Sequence, residues 1–120
     1  MLVGSADIDE LKKNAGTIPQ FTADDIVFED TTCFQLVAEM DNTAREALLP
    51  SALHPTIPAS MVLQVFEVRA SVWGAFLLAL IRVSCRSGVR ARGFTLGAMV
   101  TTEKAQQGLE HVLGLGTSLA

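Results

Sequence analysis

The sequence contains little cysteine. Only Cys33 and Cys85 occur among its 120 residues, and they are not arranged in a C-x-x-C spacing. Two thiols so far apart in sequence favour reduced, buried cysteines of a cytoplasmic protein over a disulfide framework. His54 and His111 have no clustered acids or thiols in the sequence, so no metal site is expected, and no cofactor is expected either.

Positive charge is also scarce. Nine lysines and arginines face 13 acids, which gives a net charge of −4. Residues 1–30 are acidic, with only Lys12 and Lys13 as cations, whereas four arginines crowd residues 82–92. A short arginine cluster inside an acidic protein suits a small anion or carboxylate, because nucleic-acid-binding domains are usually basic over a whole face. We expect no nucleic-acid partner.

Long hydrophobic runs are missing as well. The longest, residues 72–81, is about half of what a bilayer span needs. The first residues, MLVGSADIDE, have neither the basic start nor the apolar core of a signal peptide. We therefore expect a soluble, cytoplasmic protein with no membrane partner.

The residues that are present describe a globular chain. Hydrophobic residues make up 49% and charged residues 18%, values typical of a folded interior. Residues 1–26 mix acids, glycine, serine and proline with little periodicity, and we predict an acidic, partly mobile lead-in with one helical turn over residues 8–14. Residues 27–120 are predicted to form a single domain, since a chain of this length supports one core.

Three segments have the composition of strands. Hydrophobic residues alternate in TTCFQLVAEM, at residues 31–40, and SMVLQVFEVRA, at residues 60–70, repeats strand composition. SVWGAFLLALIRVSC, at residues 71–85, is apolar on both sides, so periodicity alone does not separate a strand from a helix. Its aromatic and β-branched residues, with the turn-like Arg-Ser-Gly that follows, favour a strand that forms a hairpin with RGFTLGAMV.

Two segments are typical of helices. MDNTAREALLP offers Asp41 or Asn42 as the first cap and ends at Pro50, which predicts about two turns. TTEKAQQGLEHVLGLG repeats apolar residues at helical spacing and runs into Gly114. The predicted order is β-α-β-β-β-α, an α+β fold with mostly antiparallel strand pairs.

The order and spacing of several short motifs resemble a known family. L-L-P-x-x-L at residues 48–53, W-G-x-F at residues 73–76 and the acid-started helix running into GLGTSLA at residues 114–120 follow one another as in the N-terminal part of the acetoacetate decarboxylase-like family. The resemblance covers residues 31–120. It implies a sheet forming a cone or partial barrel around an apolar pocket, usually in an oligomer.

The same resemblance implies chemistry that the chain does not retain. Family members decarboxylate β-keto acids through a Schiff base on one of two adjacent lysines, in a loop of the form G-F-P-K-K-L-A. Thr117 and Ser118 fall on the two lysine positions, and a hydroxyl cannot form an imine. Thr31 matches the family's active-site arginine, and Leu63 and Leu78 match pocket glutamates. We expect Lys12, Lys13 and Lys104 to be solvated surface charges that do not replace the lysine pair.

Strand alternation extends the predicted pocket beyond the matched positions. The predicted substrate-binding residues are Thr31, Gln35, Leu63, Phe76 and Leu78. The predicted catalytic residues are Arg82, Thr117 and Ser118. Two interpretations of Arg82 stay open, because it either anchors a carboxylate or enolate by a bidentate contact or ends a strand and reaches water.

Three further side chains have both a functional and an ordinary interpretation. Glu67 is either a general base or the partner of Arg69 or of another surface cation. Cys85 lies between arginines that can lower a thiol pKa, yet it also fits a buried strand cysteine. His111 is either a proton carrier at the pocket mouth or a helix-surface histidine.

Two functional hypotheses follow, and a third possibility is an unrelated small α+β domain. The first is a small-molecule-binding protein, or an enzyme of lyase, isomerase or cyclase type, acting on an apolar β-keto acid or polyketide-like compound without covalent chemistry. The second is a catalytically inactive relative that serves as a subunit or interaction module. Family members carry a second half that this chain lacks, so we expect either a homo-oligomer or a partner chain that supplies it.

Overall fold

A computed structural model describes residues 3–13 and 25–120 of the chain. Four long strands make up most of the fold: β1 (Glu29–Glu39), β3 (Ser60–Ala70), β4 (Phe76–Ser87) and β5 (Arg90–Val100). Two short strands, β2 (His54–Pro55) and β6 (Ser118–Leu119), complete the sheet. The helices are α1 (Ile8–Lys12), α2 (Asn42–Leu48) and α3 (Glu103–Leu113). The α+β class is confirmed, as are the three predicted strand segments and the β4–β5 hairpin.

The sheet is open and mixed. Its strands lie in the order β1-β3-β4-β5-β6, and β2 pairs with β4 beyond the start of β3. The long strands pair antiparallel, whereas β6 pairs parallel with β5. The sequence did not predict β2 or β6, because two-residue strands carry no periodicity. Closure into a cone is not confirmed, and the predicted lead-in of residues 1–26 lies partly outside the described residues.

Each predicted helix begins at a polar cap. The side chain of Asp41 accepts a hydrogen bond from the Ala44 backbone N–H at 3.0 Å, and the Thr102 hydroxyl accepts one from Ala105 at 3.3 Å. These contacts satisfy backbone donors that have no partner inside the helix. Helix α3 ends at Gly114, whose φ of 64° is the left-handed conformation that glycine adopts without strain.

One face of the sheet is covered by α3, and we call it the α3 face. Buried side chains from β3, β4, β5 and α3 form its main cluster: Val68, Phe76, Leu78, Leu80, Ala98, Val100, Ala105 and Leu109. Trp73 closes one end of this cluster and packs directly against Gly108 of α3, where a Cβ atom would collide with the indole ring. The close approach of α3 and Trp73 therefore depends on residue 108 being a glycine, which has no side chain.

The opposite face is covered only at one end. Leu49 packs there against Val83 and Cys85, and these three form a second buried cluster. Arg45 of α2 is buried beside this region, and its guanidinium donates to the backbone carbonyl of Thr56. In the described part of the chain no helix covers the rest of this face, which carries a group of exposed and half-buried apolar side chains that we call the open patch. Its members are Phe34, Leu36, Leu63, Val65, Leu77, Ala79, Ile81 and Met99.

The described part of the N-terminal segment lies against α2 and the residues that follow it. The backbone N–H of Ser5 donates to the Glu46 carbonyl at 2.8 Å, and that of Ala6 donates to the Leu49 carbonyl at 2.8 Å. Asp7 caps α1, accepting from the Asp9 backbone N–H at 2.9 Å. These contacts hold α1 close to Pro50, at a cavity that residues of β5 also line.

Candidate functional site

The loop after α3 and the outer edge of β5 border a cavity. The cavity has a volume of about 990 Å³. Residues from four places line it: Ile8, Glu10, Leu11 and Lys12 of α1, Pro50, Phe94 to Ala98 of β5, and Glu110 with Gly114 to Ser118 after α3. This volume lies within the range of small-molecule sites.

The floor of the cavity is the open edge of β5. Strand β6 pairs only with Met99 and Val100, so residues 94–98 have no neighbouring strand on that side in the part of the chain that the structure describes. An unpaired strand edge presents backbone N–H and C=O groups. The pairing between β4 and β5 shifts register at Ile81/Arg82, which sets Leu96 out of the ladder. The cavity therefore offers backbone hydrogen-bonding groups as well as side chains.

Thr117 supplies a polar side chain at this cavity. Its hydroxyl oxygen Oγ1 is buried and has no hydrogen-bond partner. Its backbone carbonyl accepts a hydrogen bond from the Gln106 side-chain Nε2 at 2.8 Å, which ties the loop to α3. A buried hydroxyl without a partner costs free energy that a ligand's polar atom recovers on binding. Ser118, the next residue, is exposed and begins β6.

The charged side chains at the cavity belong to its rim. Glu10 pairs with Lys13 at 2.5 Å, and Lys12 pairs with Asp9 at 3.7 Å, all with exposed side chains. Exposed pairs of this kind contribute little to stability and leave their charges solvated. With Glu10 and Glu110 against Lys12, the lining carries more acid than base. A carboxylate ligand gains no net attraction from this set.

Arg82 lies apart from the cavity lining. It sits within β4, opposite Val62 of β3 and Thr95 of β5, with its side chain packed over Gly93. It is half-buried, and its Nε atom is buried without a hydrogen-bond partner. Arg82 does not end a strand, as one of the two interpretations made from the sequence held, because β4 continues to Ser87. Binding of a carboxylate by Arg82 stays a prediction.

The predicted substrate-binding residues do not come together. Phe76 and Leu78 are buried in the main cluster under α3, where neighbouring side chains already fill their surroundings. Thr31 and Gln35 lie on the same face but on exposed β1, and Gln35 accepts a hydrogen bond from Gln64 at 2.8 Å. Leu63 pairs with Leu36 and Ile81 on the opposite face. These five residues therefore do not line a common pocket in the described part of the chain, and their binding roles stay predictions.

Other predicted side chains have ordinary partners. Glu67 pairs with Arg69 at 2.7 Å, as the second interpretation held. His111 is exposed on α3, and His54 belongs to β2. Burial raises the pKa of the Cys85 thiol, and this effect outweighs the backbone hydrogen bond from Phe94 and the charge of Arg92, which both lower it. Arginine proximity therefore does not activate Cys85.

Two negative findings concern the residues described. Residues 3–13 and 25–120 contain no group of three or more His, Cys, Asp or Glu side chains that could hold a metal ion. Within the same ranges, no helix is long and apolar enough to cross a bilayer.

Sequence reasoning missed α1 as part of the site. The sequence predicts one helical turn over residues 8–14, within an acidic lead-in, and gives no reason to place Glu10 and Lys12 at a site. Their place at the cavity depends on contacts between residues far apart in sequence, such as Ser5 with Glu46. No local pattern signals such a contact.

Comparison with known proteins identifies the fold. No protein-family model and no curated protein matches the sequence. A solved structure, an acetoacetate decarboxylase-like enzyme from Sphingomonas wittichii RW1, superposes with a TM-score of 0.51 at 16% sequence identity. The match covers 66% of this chain and 35% of that enzyme, so the chain corresponds to about a third of its length. The resemblance found in the sequence is confirmed at the level of the fold.

Proposed function

We propose that the chain binds an uncharged, polyketide-like carbonyl compound, non-covalently, in the cavity between β5, α1 and the Gly114–Ser118 loop. The observation that carries this proposal is the Thr117 hydroxyl, which is buried at the cavity without a hydrogen-bond partner. The acetoacetate decarboxylase-like fold supports a carbonyl ligand, because the solved structure is an enzyme of that kind.

Charge and chemistry narrow the ligand class. The acidic surplus of the rim disfavours a free β-keto acid relative to a neutral β-keto ester or polyketide. Thr117 and Ser118 offer hydroxyls in place of the amines that a Schiff base requires. A hydrogen bond from Thr117 to a ligand carbonyl polarises that carbonyl, which is the contribution that this residue makes if the bound compound reacts.

A binding measurement tests the role of Thr117. Methyl acetoacetate and acetoacetate form a matched pair that differs in charge, and calorimetric titration should show tighter binding of the ester. Thr117→Val removes the hydroxyl at nearly constant volume and should weaken ester binding by about tenfold, the value of one net hydrogen bond. Thr43→Val, the same change at an exposed position of α2 outside the cavity lining, is the matched control and should leave affinity unchanged.

The same variant separates binding from folding. Because Thr117 Oγ1 has no partner, Thr117→Val should keep or slightly raise the free energy of unfolding. Equal affinity of wild type and Thr117→Val for the ester would show that the Thr117 hydroxyl does not bind the ester. Borohydride treatment with acetoacetate should trap no adduct, whereas a mass-shifted peptide containing Lys12 or Lys104 would contradict the non-covalent proposal.

A second candidate function is that of a subunit or interaction module. The observation that favours it is the open patch, which leaves large apolar side chains uncovered on one sheet face. This candidate predicts that the cavity binds neither the ester nor the acid. It also predicts association of the chain, which needs no ligand.

A further inference from the structure

One long side chain of α3 is hydrogen-bonded to the loop that follows the helix. The Nε2 atom of Gln106 donates to the backbone carbonyl of Thr117 at 2.8 Å, across 11 residues of sequence. Among the residues that the structure describes, this is the one side-chain hydrogen bond that reaches residues 114–118. Gln106 is half-buried, so water competes less for this hydrogen bond than it does on an exposed side chain.

The loop needs such a contact because its own sequence is flexible. Gly114 and Gly116 belong to the residue type that loses the most conformational freedom on folding. Gly114 turns the chain out of α3, and the next strand pairing begins at Ser118, which pairs with β5. Thr117 lies between these two points. The hydrogen bond from Gln106 therefore fixes the backbone of the residue whose hydroxyl is buried at the cavity.

Gln106 lies beside the cavity but not in its lining. Glu110, which lines the cavity, follows Gln106 by four residues, and residues at that spacing lie on the same side of a helix. The side chain of Gln106 is not among those that line the cavity. An effect of Gln106 on a ligand there therefore passes through Thr117.

We propose that Gln106 is a positioning residue for the carbonyl site, because it holds the Thr117 backbone where the Thr117 hydroxyl faces a bound carbonyl group. A hydrogen bond requires the donor to lie within about 3 Å of the acceptor and nearly in line with it. A loop that moves loses part of this bond. The proposal rests on the proposed ligand function and adds the residue that orients its central hydroxyl.

Hydrogen exchange of the ligand-free chain tests the contact by itself. Gln106→Met keeps the length and helix preference of the side chain but removes the donor. The amides of residues 118–120 should then exchange about fivefold faster or more, because the loop opens more often without this hydrogen bond. Gln107→Met, the same change at the adjacent exposed position, is the matched control and should leave their exchange unchanged. Equal exchange in the two variants overturns the proposal, whatever the ligand result.

Calorimetric titration with methyl acetoacetate tests the consequence for binding. Gln106→Met should weaken binding by about three- to tenfold, at most the loss expected of Thr117→Val. In a chain that already carries Thr117→Val, the same change should have no further effect, since the hydroxyl that Gln106 orients is gone.

The outcomes of this titration separate the two proposals. Additive losses in the double variant overturn the positioning role, because they show that Gln106 acts independently of Thr117. Unchanged affinity of Gln106→Met also overturns it, yet leaves the proposed function standing if Thr117→Val binds more weakly. A wild type without affinity for the ester overturns the proposed function, and the role of Gln106 at the site with it.

A charged variant adds a rescue by pH. Gln106→Glu places a carboxylate beside the Thr117 carbonyl at neutral pH and repels the loop, whereas the protonated acid donates as the amide does. Affinity for the neutral ester should therefore rise about threefold or more as pH falls from about 7 to about 4.5. Gln107→Glu, the matched control, should show no such rise.

Other titrating groups cancel in this comparison. The loop and β6 carry no titratable side chain, and β5 carries only Arg90 and Arg92, at the end away from β6. Both variants keep the other titratable side chains of α3, which are Glu103, Lys104, Glu110 and His111. A Gln106→Glu variant that follows its control at every pH contradicts the positioning role.

Discussion

The two faces of the sheet differ in coverage more than in composition. On β4, Leu80 is 3% exposed beneath α3, whereas Leu77, three residues earlier, is 44% exposed on the other face. Both are leucines in one apolar run of the sequence. An apolar residue in a strand therefore does not by itself determine whether its side chain is buried. Burial also requires a helix that covers that face, and this helix comes from another part of the chain.

The largest expected effect comes from truncating one leucine on each face. Leu80→Ala should lower the free energy of unfolding by about 2–5 kcal/mol, because it leaves a cavity in the packed cluster. Leu77→Ala should cost less than about 1 kcal/mol at a concentration where the chain is monomeric, since water already reaches that side chain. Chemical denaturation measures both. Equal losses for the two variants would show that the faces are equally packed.

A smaller effect is expected where α3 meets Trp73. Gly108→Ala should lower the free energy of unfolding by about 1–3 kcal/mol, because the added methyl group collides with the indole ring and forces the helix away. The intrinsic helix preference of alanine acts in the opposite direction and is smaller. Gln107→Ala, at the adjacent exposed position of α3, is the control and should leave the thermal midpoint nearly unchanged. A stabilised Gly108→Ala variant would contradict the close packing of Trp73.

The two cysteines also differ in burial, and the effect on stability expected from them is smaller still. The expectation of two buried cysteines is wrong for Cys33, which is exposed on the edge strand β1. Cys33 should react quickly with a thiol reagent in the folded protein, whereas buried Cys85 should react only after unfolding. Burial raises the pKa of the Cys85 thiol in the folded state. As pH rises through the ordinary thiol pKa, the unfolded chain therefore ionises first and stability falls.

Peptide mapping after labelling checks this order of reactivity, and Cys33→Ser isolates the signal of Cys85. Rapid labelling of Cys85 without denaturant would mean that Leu49 and α2 do not cover that end of the sheet. Denaturation of Cys33→Ser should show a modest loss of stability between neutral and alkaline pH beyond that of a variant that also carries Cys85→Ala.

The sequence predicts the local structure of this protein well. Alternation in residues 31–40 and 60–70, the capping residues Asp41 and Thr102 and the ending at Gly114 are each determined by neighbouring residues, and the structure contains the corresponding elements. The resemblance to the acetoacetate decarboxylase-like family also located the correct fold.

The predicted site was less accurate because it depended on which strand faces come together. Leu63 was grouped with Thr31 and Leu78, yet strand pairing places it on the other face. One residue of register reverses a side chain, and a single sequence does not determine register between strands. The packing of α3 on Phe76 and Leu78, and of α1 beside β5, is tertiary and equally invisible in local patterns.

The most direct test of the account is a map of where a neutral carbonyl compound binds. Amide chemical shifts of the full chain, recorded during titration with methyl acetoacetate, distinguish the cavity from the open patch. We predict saturable shifts at residues 94–98 and 114–118, reduced in Thr117→Val, with the open patch unaffected. Shifts confined to Phe34, Leu36 and their neighbours, or no saturable shifts, would contradict the proposal that the cavity beside β5 is the binding site.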